Sequence, residues 1–250
     1  MYDPNPDRTP DTPDERWSSL LFLLLFGGLV MAGLLQDFEP RKVAAVLVVL
    51  FWVPLLALHE AGHAYAARFF GDKTAWMLGR TSLNPARHID PIGTVLVPLL
   101  TAFTGFLFGW AKPVPVNFEN LRDPKRDMLW VAAAGPGANI AMALGWVLVA
   151  KVLLTVGGAG TAYEFWIRVA DAGIKVNVGL AVLNLFPLLP LDGGRILASV
   201  LPNRLAYQYS RLEPFGMVIL ILLIVSGALW WMIGPVMGAM LKNLYALLGF

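Results

Sequence analysis

Long apolar runs separated by short polar clusters fill most of the chain. The runs with clear polar boundaries cover about residues 18–35, 43–70, 127–149 and 215–233. Each is close to the roughly 20 apolar residues that a helix needs to cross the hydrocarbon core of a bilayer. A further apolar stretch at 91–111 is either a kinked span or a re-entrant hairpin, and hydropathy does not separate the two. The pattern predicts an all-α polytopic membrane protein, a bundle of about six transmembrane helices.

Proline and small residues break two of the later apolar runs. The run that resumes at Val176 is interrupted after about a dozen residues by Pro187 and Pro190, which predicts a broken helix. A helix that unwinds inside a membrane is tolerated only where its freed polar groups line a cavity or bind a ligand. In the 127–149 run, the sequence GPGAN interrupts the span, and we expect its Asn139 amide to need a partner inside the bundle.

The two ends of the chain differ from its middle. Residues 1–16 are rich in proline and aspartate and have too little apolar content to pack, so they are expected to form a flexible tail. Their acidic residues argue against a signal peptide, which needs a basic start. We expect residues 17–250 to form a single transmembrane domain. After Pro235, a short apolar segment to Phe250 either spans partly or lies flat.

An alternation of proline with valine marks residues 112–117, KPVPVN. Proline forbids a helix here and favours extended backbone, so we expect a short strand at the membrane surface. The N–H groups of Val114 and Val116 could pair with an extended peptide, in the way that many peptidases hold their substrates. A stiff connector is the alternative, because proline also blunts strand edges.

Composition agrees with a membrane protein. The sequence is 57% hydrophobic and 14% charged, with a mean hydropathy of +0.64, whereas charged residues make up about a quarter of a soluble domain. The net charge of +2 is too small to indicate nucleic-acid binding. The sequence contains no cysteine, so any metal site must use histidine and carboxylate ligands.

The sequence HEAGH at 59–63 lies within the second apolar run. On a helix, His59 and His63 are one turn apart on the same face, where both imidazoles can reach one tetrahedral metal. Glu60 then lies near a metal-bound water, which is the arrangement of a metallohydrolase. Burying these three side chains in hydrocarbon costs several kcal/mol, so a membrane helix that retains them is expected to use them.

A catalytic zinc takes three protein ligands and leaves its fourth position to water. The third histidine of the long metzincin motif would fall at Phe69, so that arrangement is excluded. Asp192 is the carboxylate that lies between apolar segments, and we expect it to be buried and to be the third ligand. His88 is the alternative ligand, although it stands in a polar connection. The other candidate carboxylates all fall in polar or interfacial stretches: Asp72, Asp90, Glu119, Asp123, Asp127, Glu164, Asp171 and Glu213.

Three segments together resemble the signatures of a known family. HEAGH in one span, AGPGAN in another and NLFPLLPLDGGR in a third look like those of the site-2 protease family of intramembrane zinc metalloproteases. The resemblance covers a catalytic core of about residues 43–200. Many members of this family also carry a PDZ or a CBS domain. We expect neither here, because the chain has room for neither.

The resemblance implies a zinc site and a reaction. One Zn²⁺ per chain would be bound by His59, His63 and Asp192, with Glu60 as the catalytic base. Asn184 would lie near the scissile peptide, and Asn139 is a possible substrate-binding residue whose alternative role is packing between helices. The substrates would be membrane-anchored proteins, cleaved in or beside their transmembrane helix to release a regulatory fragment.

Two other classes of protein could carry such residues. A metal-ion transporter also places histidine and aspartate in broken membrane helices, but it has no need of a glutamate beside the first histidine. A catalytically silent membrane scaffold is the second alternative, and it would tolerate changes at Glu60. Nothing in the sequence predicts an oligomeric state.

We expect an integral protein of the plasma membrane of a prokaryote. The distribution of basic residues predicts its orientation in that membrane. By the positive-inside rule, the connection after the second run and the amino terminus are both expected on the cytoplasmic side. A second basic cluster lies at 122–126, and a hairpin at 91–111 would keep it on that side too. The basic residues of the first connection are Arg68, Lys73, Arg80 and Arg87.

Overall fold

The computed structural model of the chain describes residues 40–82, 87–88, 90, 93 and 111–249. Three predicted elements, the 1–16 tail, the 18–35 span and most of the 91–111 stretch, lie outside the described residues. The chain divides into two compact units, Met1–Asn117 and Phe118–Phe250. The prediction of one domain over 17–250 stays a prediction.

In the first unit, the long helix α1, Pro40–Phe69, contains the HEAGH sequence. Its bounds confirm the helix predicted at 43–70. The helix ends where Gly71 adopts a φ of 114°, a left-handed conformation that glycine tolerates without strain. The Asp72 N–H then donates to the Ala67 carbonyl at 2.9 Å, which satisfies one of the last carbonyls of the helix. A single-turn helix, α2, follows at Thr74–Met77.

The segment 112–117 has no helical structure, as the prolines predicted. It is not part of a β-strand either, and none occurs among the residues that the structure describes. The side chain of Val114 packs into a small apolar cluster with Ala64 of α1 and Ala75 of α2, and Val116 packs against the same cluster. The predicted absence of helix is confirmed, whereas the predicted short strand is not found in this segment. Pairing of the segment with a substrate stays a prediction.

All regular secondary structure in the described part of the second unit is helical. A long helix, α3, packs against α4 and α5, and α4 also packs against α8. The elements are a 3₁₀ turn at Phe118–Asn120, α3 at Pro124–Val156, α4 at Thr161–Asn184, α5 at Asp192–Val200, α6 at Asn203–Ser210, α7 at Glu213–Val225 and α8 at Ala228–Ala246. The all-α class is therefore confirmed for the described part of the chain.

The GPGAN sequence does not interrupt its helix, contrary to the prediction. Helix α3 runs through Pro136 without a break, because a proline removes only one backbone donor and neighbouring helices can compensate. The expected partner of Asn139 is present, since its Nδ2 donates to Asn177 Oδ1 of α4 at 3.4 Å. Close approach of the two helices is possible because Gly173 of α4 has no side chain where it meets the Trp146 ring.

The end of the chain also differs from the prediction. The span expected at 215–233 is divided into α7 and α8 at Gly227, whose φ of 76° ends the first helix. Helix α8 then continues through Pro235 to Ala246, so the proline does not end the helical segment. The predicted break after Asn184 is confirmed, although α4 begins at Thr161, well before the apolar run resumes.

One helix among the described residues, α3, is by itself long and apolar enough to cross a membrane. Helices α6 and α7 meet at a 64° bend and would pass the same test only if they formed one span. Six transmembrane helices therefore stay a prediction, supported by composition.

The loop between α4 and α5 is packed tightly by glycines. A methyl group at Gly193 would overlap the carbonyls of Leu185 and Phe186, and one at Gly216 of α7 would overlap the Leu189 carbonyl. Both obstacles are backbone atoms, which cannot rotate away. The conformation of this loop, and with it the start of α5, therefore depends on glycine at positions in two different helices.

Replacing Gly216 by alanine should destabilise the protein by about 1–3 kcal/mol, the usual cost of overpacking a site that cannot relax. Gly238→Ala in α8 is the matched control, because no atom outside its own turn of helix lies within 4 Å of the added methyl group. It should be neutral or slightly stabilising, since alanine favours a helix. Thermal unfolding of the detergent-solubilised variants measures both effects, and equal melting temperatures would contradict this account of the loop.

Candidate metal centre

His59 and His63 face each other on one side of α1. Their Nε2 atoms are 3.1 Å apart, and the two rings meet edge to face at 82°. Both side chains are buried. The i, i+4 spacing places the two rings on the same face of the helix, as the sequence predicted.

This geometry fits zinc. Two nitrogens at 2.0–2.1 Å from a tetrahedral zinc lie about 3.3 Å from each other. The observed 3.1 Å between the two Nε2 atoms is close to that separation. The pair can therefore supply two ligands of one metal without a change in the backbone of α1.

Glu60 is held by the backbone of the 112–117 segment. The Val114 N–H donates to Glu60 Oε2 at 2.8 Å. This N–H, which was expected to be free for pairing with a peptide, is thus occupied by the carboxylate in this structure. Pairing of the segment with a substrate stays a prediction. The Val114 side chain is also buried.

Arg80 is a residue whose role the sequence analysis missed. The sequence indicates only one of several basic residues in a polar connection, yet Arg80 is 8% exposed. Its Nη2 donates to the carbonyls of Lys112 at 2.6 Å and Pro113 at 3.3 Å. Burial lowers the pKa of Arg80, and the charge of Glu60 partly offsets that effect. No local sequence pattern distinguishes this arginine from the other basic residues of the connection.

Asp72 lies in a polar stretch of the sequence, yet the fold buries it. The residue is completely buried, and its carboxylate accepts from the backbone N–H of Thr74 at 2.9 Å and of Asn117 at 2.7 Å. The first of these bonds is an Asx turn, for which the Asp-Lys-Thr sequence at the start of α2 was a usable signal.

His88, the alternative ligand, is buried as well. Its Nε2 donates to the Ser82 carbonyl at 2.7 Å, and its own carbonyl accepts from the Lys112 N–H at 2.9 Å. Burial lowers the pKa of His88 and so favours a neutral ring, and the hydrogen bond to the Ser82 carbonyl only partly opposes this effect. These contacts give the residue a structural role, and its use as a ligand stays a prediction.

In the second unit, Asp192 is the first residue of α5 and is buried, as predicted. A carboxylate at a helix N-terminus is favoured by the helix dipole. Asp127 of α3 is buried too, so Asp192 is not unique in this respect. The carboxylate of Asp127 accepts from the Asp123 N–H at 2.8 Å, which accounts for its burial at the start of α3. The assignment of Asp192 as third ligand stays a prediction.

The two asparagines differ in their surroundings. Asn139 is fully buried between α3 and α4, where it contacts Asn177. Asn184 is the last residue of α4 and is half-buried, and its Nδ2 donates to the Leu180 carbonyl at 3.1 Å. Helix packing accounts for the position of Asn139, whereas Asn184 lies where the helix gives way to the loop.

A helix that pairs two histidine nitrogens and carries a glutamate between them is the arrangement of an HExxH zinc hydrolase. No protein-family model matches the sequence, and no solved structure matches it. Curated proteins do match. The chain is 33% identical over 206 residues, 81% of its length and 90% of the relative's, to "Putative zinc metalloprotease YwhC" of Bacillus subtilis.

Two further relatives carry similar names. "Putative zinc metalloprotease Rip2" of Mycobacterium tuberculosis is 29% identical over 229 residues, which are 90% of this chain and 85% of the relative. "Zinc metalloprotease MJ0392" of Methanocaldococcus jannaschii is 26% identical over 167 residues, which are 66% of this chain and 37% of the relative. The chain belongs to the site-2 protease family of zinc metalloproteases.

Zinc binding should depend on His59, His63 and Asp192 together. Asp192→Ala should lose most of the bound metal, because two histidines alone leave zinc one protein ligand short of a catalytic site. His88→Ala is the control and should keep its zinc. Metal analysis of the purified variants by mass spectrometry measures this. Full zinc in Asp192→Ala together with loss in His88→Ala would show that the third ligand is misassigned.

Proposed function

We propose that this protein is an intramembrane zinc metalloendopeptidase that cleaves membrane-anchored proteins in or near their transmembrane segments. The observation that carries the proposal is the pair of Nε2 atoms of His59 and His63, 3.1 Å apart with Glu60 between them in sequence. Membership of a family of zinc metalloproteases supports the reaction class.

His59, His63 and Asp192 are proposed to hold one Zn²⁺ per chain. When bound there, zinc would lower the pKa of a coordinated water to about 7 and polarise the scissile carbonyl. The residues of the chain supply the proton transfers. Glu60 accepts a proton from the attacking water and passes it to the leaving amine of the substrate.

Asn184 is proposed to hold the substrate. An amide nitrogen has two N–H donors, and the bond to the Leu180 carbonyl uses one of them. The second can donate to the substrate backbone or to the oxyanion that develops during attack. Asn139 is the less suitable candidate, because its amide contacts Asn177 in the packed interior.

The membrane setting rests on composition and on helix α3. A mean hydropathy of +0.64 and a helix of 33 residues with few charges favour an integral membrane protein. Curated relatives occur in bacteria and in an archaeon, which agrees with the plasma membrane of a prokaryote. The basic connection after α1 favours a cytoplasmic amino terminus.

Glu60→Gln should abolish cleavage, because glutamine cannot accept the proton of the attacking water. Zinc binding should stay intact, because residue 60 is not one of the proposed metal ligands. Comparative membrane proteomics of cells with the wild-type protein and with this variant should reveal membrane proteins that accumulate uncut. A metal-ion transporter would keep its transport in the same variant. An unchanged membrane proteome, at equal expression and equal zinc content, would argue against a peptidase.

The topology can be tested with single cysteines, because the sequence has none of its own. Cysteines introduced at Lys73 and Lys125 should both react with a membrane-impermeant label from the cytoplasmic side, since the basic clusters favour a hairpin at 91–111. Labelling of the two positions from opposite sides would exclude the hairpin and require a full span.

A further inference from the structure

We propose that Arg80 is a positioning residue for the catalytic carboxylate. It holds the peptide group between Pro113 and Val114, and that peptide group holds Glu60. The inference rests on the proposed role of Glu60 as the base.

The first part of the argument is the geometry of one peptide group. A trans peptide is planar, and its C=O and N–H point in opposite directions. Arg80 Nη2 donates to the Pro113 carbonyl at 3.3 Å, and the N–H of the same peptide donates to Glu60 Oε2 at 2.8 Å. The peptide is thus held between a guanidinium on its oxygen side and a carboxylate on its nitrogen side, so the position of one end fixes the direction of the other.

Charge strengthens this arrangement. A cation at the carbonyl oxygen and an anion at the N–H both align with the peptide dipole, and hydrogen bonds in such a chain polarise one another. Arg80 also donates to the neighbouring Lys112 carbonyl at 2.6 Å, which restricts rotation of the segment. A lysine could reach one of these carbonyls, but it lacks the rigid fork of the guanidinium.

The consequence for Glu60 is restricted motion. Its side chain has several rotatable bonds, and a general base must be held close to its working geometry to be effective. The Val114 N–H anchors one of its two oxygens. Holding Oε2 in this way limits the rotation of the carboxylate before any substrate binds.

The fold of the segment does not depend on Arg80 alone. Val114 packs against Ala64 and Ala75, and the Asn117 N–H donates to buried Asp72. These contacts fasten the segment to α1 and α2 independently of Arg80. A variant at this position is therefore expected to fold, with the segment in place but the peptide group free to turn.

The test compares Arg80→Gln, Arg80→Lys and Val114→Pro, with Arg204→Gln of exposed helix α6 as the matched control. The probe is a purified transmembrane fragment of a protein that accumulates uncut in Glu60→Gln cells. Arg80→Gln should lower kcat by about 10–100-fold, because small errors in the position of a catalytic group have effects of that size. KM and zinc content should not change, and Arg80→Lys should restore part of kcat.

A double variant separates positioning from general damage. Val114→Pro removes the N–H itself, so it should lower kcat similarly, and combining it with Arg80→Gln should cause little further loss. Independent, multiplicative losses would overturn the proposal. So would unchanged kcat, a change confined to KM, or loss of zinc in Arg80→Gln.

A spectroscopic readout does not depend on activity. The amide proton of Val114, observed in ¹⁵N-valine-labelled protein, should move upfield in Arg80→Gln as its bond to Glu60 weakens. An unmoved resonance would overturn the inference. If Glu60→Gln also cleaves the fragment at the wild-type rate, the proposed function fails. If only Arg80→Gln is without effect, the inference alone fails.

Discussion

The contact between His59 and His63 exists because an α-helix repeats every 3.6 residues, so that side chains four positions apart lie on one face. This constraint places both rings on one face of α1, where their Nε2 atoms are 3.1 Å apart. The helix can thereby supply two metal ligands at once, and a third would need only one more carboxylate or imidazole. Glu60 follows the first histidine directly and lies in the same turn of helix.

The proline-rich segment explains the buried charges of the first unit. A segment of this kind cannot join a helix, yet its backbone N–H and C=O groups must be satisfied once they are buried. Side chains do this instead: Glu60 and Asp72 accept from its N–H groups, and Arg80 donates to its carbonyls. Asp72 and Arg80 are buried and Glu60 is half-buried. Burying such a charge without a hydrogen-bond partner is costly, and here each one contacts a backbone group.

In the second unit, glycines allow helices and a loop to approach one another closely. Gly173 admits the Trp146 ring between α3 and α4, and Asn139 and Asn177 bind each other at the same interface. Gly193 and Gly216 admit the backbone of the loop that precedes Asp192. Such close backbone approach leaves no room for a side chain, so the conformation at the start of α5 depends on glycine at these positions.

The sequence by itself determined the features that depend on neighbouring residues. The HEAGH helix, the unwound region after Asn184 and the absence of helix at 112–117 follow from helical periodicity and from proline, both of which act locally. Pro136 and Gly227 show the limit of such rules, because one was expected to interrupt a helix and did not, and the other divides a run expected to be continuous. Neighbouring helices can compensate for the donor that Pro136 removes, whereas Gly227 ends a helix through its own left-handed conformation.

Only the tertiary structure decided the partners of Glu60, Arg80 and Asp72. Their bonds join residues 54, 32 and 45 positions apart along the chain. A single sequence indicates that a charged residue is present, but not whether folding will bury it beside a backbone group that needs it. The reason is physical: the free energy of burying a charge depends on what surrounds it after the chain has folded, and periodicity carries no information about that surrounding.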